Sequence, residues 1–550
     1  MGLFGGARAE PPPVTPPPSS METVADLLKD LPRGNDPRAV AKGAATARFA
    51  QPDARDPYFR FDPDSRPTAV YLGIVGGSVA TDPETGETYL QGGQAIGIDD
   101  DRHLMLVAGS RAGKGRAILL PNLLTYRGGV IATDPKGELA TETALRRALP
   151  RDQGGLDQDV FILDPFGTVK GPAEAYRSAY NPIVAMRDDH LLEDAALLAD
   201  SLVMANPNSR DPHWDESART FIEGVIGIVR TSPAYEGQRT LSTVRRLINV
   251  GGDDAKEPSG SSWTALKIDF EMSELPWVRG AGVDFFSKPD RERESVHSTA
   301  RRHTKFLDFD GIATVTGDDP DGPPVILENL RSTVPATIYL CLPAGHMDTC
   351  SRWLRLMVNQ FLLTMERLGP MKRGTPPVLC VLDEFASLGH MRRLETAAAQ
   401  IAGFGVRLWP VLQDLGQLEA LYDKNYQTFM GNAGVLQFFG NSDLRTLEWI
   451  SRRLGQTTVR RDERRPATAQ RLQSGETDTV KTTEPSLMYL DEVARYFRRS
   501  DKKLRQLVFA LDAEYPLILQ RAFVDKHERF KALRITRRPA PRQETGDARS

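Results

Sequence analysis

Apolar strand-like runs that end in a polar turn and lead toward a helix recur along this chain, and this pattern constrains its fold most. They include residues 102–109 (RHLMLVAG), 128–138 (GGVIATDPKGE), 376–385 (PPVLCVLDEF) and 406–414 (VRLWPVLQD). Parallel neighbouring strands need a crossover connection, usually a helix, so the repeated strand-turn-helix pattern favours a parallel sheet. The sequence therefore predicts an α/β fold with a mostly parallel central sheet.

Long amphipathic runs replace this pattern between about residues 186 and 322. HLLEDAALLADSLVMA and DESARTFIEGVIGIVRTS are examples, and helical spacing without strands predicts an all-α insertion in the α/β domain. A chain of 550 residues also exceeds the usual size of one domain. We predict a Pro-rich disordered tail at 1–20, a helical lead-in at 21–67, the α/β domain at 68–185 and 323–536, the all-α domain at 186–322, and a disordered tail at 537–550.

The composition is that of an ordinary globular protein, with 40% hydrophobic and 26% charged residues. A formal net charge of -3 gives no global basic footprint, so any nucleic-acid contact must come from a local surface. No run approaches the roughly 18 to 20 apolar residues of a membrane-spanning helix, and no signal peptide is evident. Cys341 and Cys380 lie in apolar strand-like runs, where a buried thiol is expected. We expect a soluble protein of the reducing cytoplasm.

A glycine-containing turn, Ala108–Gly115, lies between an apolar run and a helix-compatible run. Backbone N–H groups of such a turn can converge on a phosphate, and Lys114 can supply a positive charge. Ala108 and Gly115 depart from the strict phosphate-loop pattern, which has Gly and then Ser or Thr there. The alternative is a glycine turn with a solvated lysine. The positions predicted to bind ATP here are Gly109, Ser110, Arg111, Ala112, Gly113, Lys114, Gly115 and Arg116.

Two adjacent carboxylates, Asp383 and Glu384, follow the apolar run VLCVL. Asp383 is predicted to hold Mg²⁺ through water, and Glu384 to orient the attacking water as a general base. The alternative is a strand followed by a solvated acidic turn. Asp134 and Gln413 also follow apolar runs, and such strand ends could converge on one crevice. We predict that Asp134 joins the ATP site and that Gln413 senses the γ-phosphate, unless Gln413 is an ordinary polar residue at a strand end.

Other arginines have open roles. Arg392, Arg393 and Arg407 are candidates for an arginine that reaches the γ-phosphate across a subunit boundary. Zinc-type ligand spacing is absent, and no histidine pairs with a plausible nucleophile. A basic cluster could contact nucleic acid, although a solvated loop is the commoner explanation; it comprises Arg452, Arg453, Arg460, Arg461, Arg464 and Arg465.

Several blocks resemble, in order, those of the VirD4/TraG type IV coupling proteins, over about Gly92 to Phe523. They are RHLMLVAGSRAGKGRAILLPNLL, VIATDPKGE, DPHWDESART, VHSTARRHTKFL, VLDEFASLGHMRRLETAAAQIAGFGVRLW, VLQDLGQLEALY and LMYLDEVARYF. The LDEFASLGHM block is far more specific than the phosphate loop. The branch that it resembles often has GKG in the loop, which accommodates Gly115.

This resemblance implies a RecA-like P-loop ATPase that forms a ring, a hexamer, with ATP at the subunit boundaries. Lys114 would be the phosphate-loop lysine and Asp383 the Mg²⁺-associated acid. Glu384 would be the catalytic carboxylate and Gln413 the sensor. The insertion would correspond to the all-α domain of the family, which faces the cytoplasm and helps to select substrate.

Family members typically carry transmembrane helices ahead of the phosphate loop, whereas Met1 to Arg102 contains no such run. From the resemblance we expect a motor that recruits single- or double-stranded DNA, a relaxase–DNA complex or a protein for a type IV secretion system. It would act in the cytoplasm, or at the inner membrane through a separate membrane-anchored partner. The alternatives are a soluble DNA-processing or defence ATPase, and a nucleotide-binding adaptor without turnover.

Overall fold

The computed structural model describes residues 46–50, 52, 56–204, 212–250, 263–317, 325–372, 374–463 and 479–535. The predicted tails at 1–20 and 537–550, and the helical lead-in up to residue 45, lie outside the described residues. Residues 46–50 are not helical, and their backbone forms hydrogen bonds with distant segments of the chain. Ala47 N–H donates to Gln456 O at 3.0 Å, and Ala50 N–H donates to Pro516 O at 2.9 Å.

Within the described residues, eleven strands form one large sheet and four others form two separate two-stranded hairpins. The strands are β1 (Val70–Val75), β2 (Ser78–Thr81), β3 (Thr88–Gln91), β4 (Gln94–Ile98), β5 (His103–Ala108), β6 (Val130–Thr133), β7 (Asp159–Leu163), β8 (Ala336–Leu340), β9 (Val378–Leu382), β10 (Val406–Leu412), β11 (Ala433–Phe439), β12 (Val459–Glu463), β13 (Thr479–Thr483), β14 (Arg505–Ala510) and β15 (Leu517–Gln520). The order in the large sheet is β4-β1-β15-β14-β11-β5-β10-β9-β6-β8-β7.

Neighbouring strands from β11 through β5, β10, β9, β6 and β8 to β7 all pair in parallel. The other side of the sheet, from β11 through β14, β15 and β1 to β4, is antiparallel. The predicted α/β fold with a mostly parallel sheet is therefore confirmed. The order β5-β10-β9-β6 also brings the four strands with predicted functional ends side by side.

The parallel strands are buried on both faces, which explains why they read as continuous apolar runs. In β5, Leu104 and Leu106 belong to one hydrophobic core, whereas Met105 and Val107 belong to the core on the other face. This follows from the alternation of side chains along a strand. Helices associated with the sheet are Leu120–Thr125, Glu138–Ala148, Met347–Arg367, Arg392–Gln400, Leu415–Tyr422, Tyr426–Gly431, Leu444–Leu454, Leu490–Tyr496 and Glu528–Lys531.

Between β7 and β8, every regular element in the described part of the chain is helical. The longer helices are Leu191–Leu202, Pro212–Thr231, Leu241–Ile248, Trp263–Met272, Pro276–Phe286, Asp290–Thr304 and Asp310–Val315. Their core contains aromatic as well as aliphatic side chains, and the rings of Phe221 and Phe285 stack at 3.9 Å between centroids. This helical region docks on the sheet helix Met347–Arg367, where Arg367 Nη2 lies 2.6 Å from Asp194 Oδ1.

The last part of the chain forms hairpins. β14 and β15 pair antiparallel, and Tyr515 and Pro516 lie in the connection between them. β12, which contains Arg460 and Arg461 of the basic cluster, pairs antiparallel with β13. The three cysteines are buried and free, as expected for Cys341 and Cys380. No helix among the described residues combines the length and apolarity needed to span a bilayer.

Candidate active site

The turn after β5 has the backbone of a phosphate-binding loop. Arg111 and Gly113 lie in the left-handed region, with φ values of 56° and 89°. The chain then enters a π-helical turn, Gly115–Leu119, in which Leu120 N–H donates to Gly115 O. The amino-terminal ends of helices carry unpaired N–H groups and a partial positive charge, and π turns are frequent at functional sites. This loop is therefore suited to hold an anion.

Gly109 fixes the loop against the end of β11. Its N–H donates to Phe439 O at 3.1 Å. A Cβ atom at this position would lie 1.9 Å from Gly440 O, so only glycine permits the contact without a backbone shift. The phosphate loop is thus braced by the neighbouring strand end.

Lys114 crosses the end of β10 to reach the carboxylates that follow β9. Its Nζ lies 3.0 Å from Asp383 Oδ1 and 3.0 Å from Glu384 Oε2. Burial by itself lowers the pKa of Lys114, but the two carboxylates outweigh burial and raise the pKa above its ordinary value. The lysine is therefore a cation held between two acids.

Asp383 is held rigidly at the end of its strand. Thr133 Oγ1, from the end of β6, donates to Asp383 O at 2.8 Å, and Glu384 N–H donates to Asp383 Oδ1 at 3.1 Å. Burial raises the pKa of the Asp383 carboxyl, although the charge of Lys114 opposes this shift. The carboxylate thus depends on a nearby cation to keep its charge.

Glu384 has an unusual backbone and a specific partner. Its φ of 55° places a non-glycine residue in the left-handed region, which is strained and is common at functional sites. Gln413 Nε2 donates to Glu384 Oε1 at 2.8 Å. Asn441, at the end of β11, in turn donates from Nδ2 to Gln413 O at 3.1 Å. The run GVLQFFGN, a strand followed by Gly and Asn, was the available sequence signal for Asn441.

Asp134 lies at the end of β6 but turns its carboxylate toward its own helix. Its Oδ2 accepts a hydrogen bond from Ala140 N–H at 2.8 Å, in the helix Glu138–Ala148. Burial raises the pKa of this carboxyl to about 7, with a smaller contribution from the charge of Asp383. The hydrogen bond of Asp134 therefore stabilises the turn between β6 and the following helix, and Asp134 makes no such bond to Lys114.

Several predicted residues lie elsewhere or point away. The Arg116 guanidinium is bound by Glu87 at 2.6 Å and by Asp525 at 2.7 Å, which removes it from the phosphate loop. Ser110 is exposed. Arg407 is buried and donates to Thr68 O at 2.7 Å, so it cannot extend to a neighbouring subunit.

Arg393 and Arg392 follow the acidic strand end on the helix Arg392–Gln400. Arg393 pairs with Glu366 of the same chain. Arg392 is exposed. Of the three arginine candidates, Arg392 is the one whose side chain is free to leave the surface of the chain.

Arg355 was missed by sequence reasoning. It lies in the middle of the helix Met347–Arg367, where an arginine has no distinguishing signal. Its Nη1 donates to Leu388 O at 2.9 Å and to His390 O at 2.7 Å. These bonds clamp the loop that follows Glu384.

Comparison with known proteins places these features in a family. A family model described as "Type IV secretory system Conjugative DNA transfer" matches residues 72–545. Protein VirD4 of Agrobacterium fabrum is 26% identical over 65% of this chain and 50% of its own length. Conjugal transfer protein TraG of Escherichia coli is 25% identical over 66% of this chain and 56% of its own length. The chain thus spans about half the length of the curated relatives it matches.

Solved structures of the plasmid coupling protein TrwB are similar in fold. The complex with the ATP analogue ADPNP has a TM-score of 0.54 and 16% identity, over 77% of this chain and 86% of that chain. The complex with ADP and Mg²⁺ gives the same TM-score. This similarity confirms the predicted RecA-like P-loop fold.

Proposed function

Because the chain belongs to the type IV secretory system conjugative DNA transfer family, we propose that it is an ATPase that drives DNA or a nucleoprotein or protein substrate toward a type IV secretion system. The observation that carries this proposal is the position of Lys114 Nζ, 3.0 Å from both Asp383 and Glu384, beside an anion-binding turn. TrwB has been solved with an ATP analogue and with ADP and Mg²⁺. The same ligands suit this site.

The phosphate loop would bind the triphosphate with its backbone. The N–H groups at the start of the helical segment would donate to phosphate oxygens, and Lys114 would exchange one carboxylate contact for the β- and γ-phosphates. Gly115 leaves open space, because a Cβ atom built there has no neighbour within 4 Å. Binding would therefore move the side chain of Lys114 away from one of its two carboxylate partners.

The chemistry of the donors fits Mg²⁺. No group of three or more acidic, histidine or cysteine residues able to hold a metal occurs in the described ranges. Mg²⁺ commonly uses one or two carboxylates, with waters and substrate phosphates as its other ligands. Asp383, anchored by Thr133, would hold the ion through water. When bound, Mg²⁺ would neutralise charge that develops on the phosphates.

Glu384 would act as the general base. Its strained backbone directs the carboxylate toward Lys114 and Gln413, with partner distances of 3.0 Å and 2.8 Å. A carboxylate in this position can orient a water for attack on the γ-phosphate and take its proton. Gln413 donates a hydrogen bond to Glu384. It would report loss of the γ-phosphate by changing its hydrogen-bond partner.

The assembly is a further part of the proposal. A hexameric ring would place ATP at subunit boundaries, where the exposed Arg392 is the arginine best placed to reach a neighbouring site. The helical region between β7 and β8 would select the cargo. The protein would act on the cytoplasmic side of the inner membrane, with secretion components or a membrane-anchored partner as its docking site.

Hydrolysis tests this proposal directly. We expect Glu384→Gln to lower ATP turnover by about 10²- to 10⁴-fold while ADP binding persists, because the general base is lost and the phosphate loop is kept. Lys114→Ala should weaken both. Glu419→Gln is the control, since Glu419 is a surface acid paired with Arg445. Phosphate release and equilibrium binding of ADP are the measurements.

The same assay separates this function from that of a nucleotide-binding adaptor without turnover. Single-stranded DNA should stimulate phosphate release by the wild-type protein. Wild-type protein that binds ADP but releases no phosphate, with or without DNA, would be a nucleotide-binding adaptor. Turnover by Glu384→Gln equal to that of wild type would remove Glu384 as the base.

A further inference from the structure

A fully buried arginine lies beneath the phosphate loop. Arg521, which follows β15, has no exposed surface. Its Nη1 donates to Ala112 O, inside the loop, at 2.9 Å. Its guanidinium also lies 4.9 Å from the ring centroid of Phe439, the residue whose carbonyl accepts the Gly109 N–H. The arginine thus touches the loop and the strand end that braces it.

The charge of Arg521 has no carboxylate partner among the described residues. Its other hydrogen bonds go to the carbonyls of Leu504 at 3.3 Å and Arg499 at 3.5 Å. The acid whose charge acts on Arg521, Asp501, is paired with Arg505, with Nη2 3.0 Å from Oδ1. Burial lowers the pKa of Arg521 to about 10, which still leaves it a cation at neutral pH.

We infer that Arg521 is a second phosphate-site cation, which acts through the loop to favour binding of the diphosphate and triphosphate. This inference rests on the proposed function of the same site. The charge of Lys114 is balanced by the carboxylates of Asp383 and Glu384, whereas no acid lies at hydrogen-bond distance from Arg521 among the described residues. A buried cation without a counterion raises the potential of its surroundings and is stabilised when an anion arrives.

Arg521 also orients the loop. Its bond to Ala112 O keeps that carbonyl on the protein side. A carbonyl dipole on the ligand side would repel phosphate oxygens, whereas N–H groups attract them. The two effects act together, since the same guanidinium supplies the charge and the hydrogen bond. Arg521 is therefore a positioning residue that does not touch the reacting atoms.

The chain contains a matched control for this residue. Arg147 is also fully buried, and its pKa is also lowered to about 10 by burial. It donates to Leu123 O at 2.6 Å, Gly128 O at 3.2 Å and Thr337 Oγ1 at 2.7 Å. These partners lie at the opposite ends of the strands, away from the phosphate loop. Arg147→Met thus removes an equally buried cation that cannot act on a phosphate at Lys114.

The experiment compares full-length Arg521→Met, Arg521→Lys and Arg147→Met in equilibrium binding of ADP and of adenosine. We expect Arg521→Met to weaken ADP binding by about tenfold or more and to leave adenosine binding within about threefold of wild type. Arg521→Lys keeps the charge and should stay within about threefold of wild type for ADP. Arg147→Met should leave both affinities within the same range.

Two outcomes would overturn the inference. If Arg521→Met weakens ADP binding no more than Arg147→Met does, the cation beneath the loop has no role in binding. If Arg521→Lys is as weak as Arg521→Met, the loss is structural rather than electrostatic. Should the Met variant fail to fold, Arg521→Gln replaces it under the same criteria. Wild-type protein that fails to bind ADP would instead remove the proposed function itself.

Discussion

The two ends of the parallel strands are built from the same chain segments but differ in how their polar groups are satisfied. At the amino ends, Arg147, Gln158 and Thr337 form a closed network, with Thr337 Oγ1 donating to Gln158 Oε1 at 2.8 Å. At the carboxyl ends, Glu384 has a positive φ and Asp383 has a raised pKa. The polar groups of the amino ends are hydrogen-bonded to one another, whereas the carboxyl ends combine a strained backbone with a carboxyl whose pKa is raised.

This difference separates stability from function within one sheet. A buried polar group that has all its hydrogen bonds holds a fold in place. A strained backbone and a carboxyl with a raised pKa oppose stability and persist where the surroundings enforce them, most often at functional sites. We therefore expect equivalent substitutions at the two ends to affect different measurements.

A pair of glycines provides the strongest test of this difference. A Cβ atom at Gly109 would lie 1.9 Å from Gly440 O, and one at Gly129, just before β6, would lie 2.1 Å from Leu330 O. Both contacts are with backbone, so either alanine forces a shift. We expect Gly109→Ala to weaken ADP binding by about a hundredfold, because the shift moves the phosphate loop. Equilibrium dialysis with ADP measures it.

Gly129→Ala should behave in the opposite way. It should lower the free energy of unfolding by about 2 kcal/mol in urea titration and leave the ADP dissociation constant within about threefold of wild type. Equal losses of ADP affinity in the two variants would mean that the ends of the sheet are not separable. Loss of stability without loss of affinity in Gly109→Ala would refute the role of its contact with Gly440.

Asp134 tests whether a buried carboxylate at the carboxyl ends of the strands destabilises the folded protein. Burial raises the pKa of this carboxyl from 3.8 to about 7 in the folded protein. Between these values the folded state holds a proton that the unfolded state has released, so stability falls as pH rises through this window and is level above it. The contribution is about 2 kcal/mol between about pH 5 and about pH 7.5.

Asp134→Asn should remove that part of the pH dependence. The amide oxygen can still accept the Ala140 N–H, so the stability advantage of the variant over wild type should be larger at about pH 7.5 than at about pH 5, by about 2 kcal/mol. Urea unfolding at several pH values measures the difference. Asp164→Asn is the control. Like Asp134, Asp164 accepts backbone N–H groups, those of Thr168 and Val169, but it also has a cation, Arg177, at 3.5 Å. An unchanged pH slope in Asp134→Asn would contradict the assignment.

The sequence predicted which strand ends meet because that information is local. Lys114, Asp383, Glu384 and Gln413 each follow a buried apolar run, and parallel topology brings such ends to one edge. Asp134 gave the same local signal, yet its carboxylate bonds to Ala140 at the start of the next helix. Strand-end position is encoded by the run, whereas side-chain direction depends on the turn that follows.

The sequence could not predict the partners of the arginines. Arg116 belongs to the phosphate-loop motif but pairs with Asp525, 409 residues away. Arg355 and Arg521 contact loops that are brought near them only by the folded sheet. An arginine in a helix or strand carries no local mark of the distant carbonyl or carboxylate that it will meet. These contacts required the structure.

Gly115 offers the smallest and most specific change at the carboxyl end. A strict phosphate loop has Ser or Thr at this position, whose hydroxyl ligates Mg²⁺. The Cβ of such a residue would meet nothing within 4 Å, and Gly115 is not in a positive-φ conformation, so the side chain fits without strain. We expect Gly115→Ser to lower the Mg²⁺ concentration that gives half-maximal ATP turnover by about threefold, because one more oxygen donor is added.

Gly115→Ala separates the hydroxyl from the side chain that carries it. The methyl group occupies the same space without offering an oxygen, so the Mg²⁺ requirement of this variant should match that of wild type within error. Equal shifts in Gly115→Ser and Gly115→Ala would show that loop rigidity, not ligation, sets the Mg²⁺ requirement. An increased requirement in Gly115→Ser alone would mean that the hydroxyl competes with the water through which Asp383 is proposed to hold the ion.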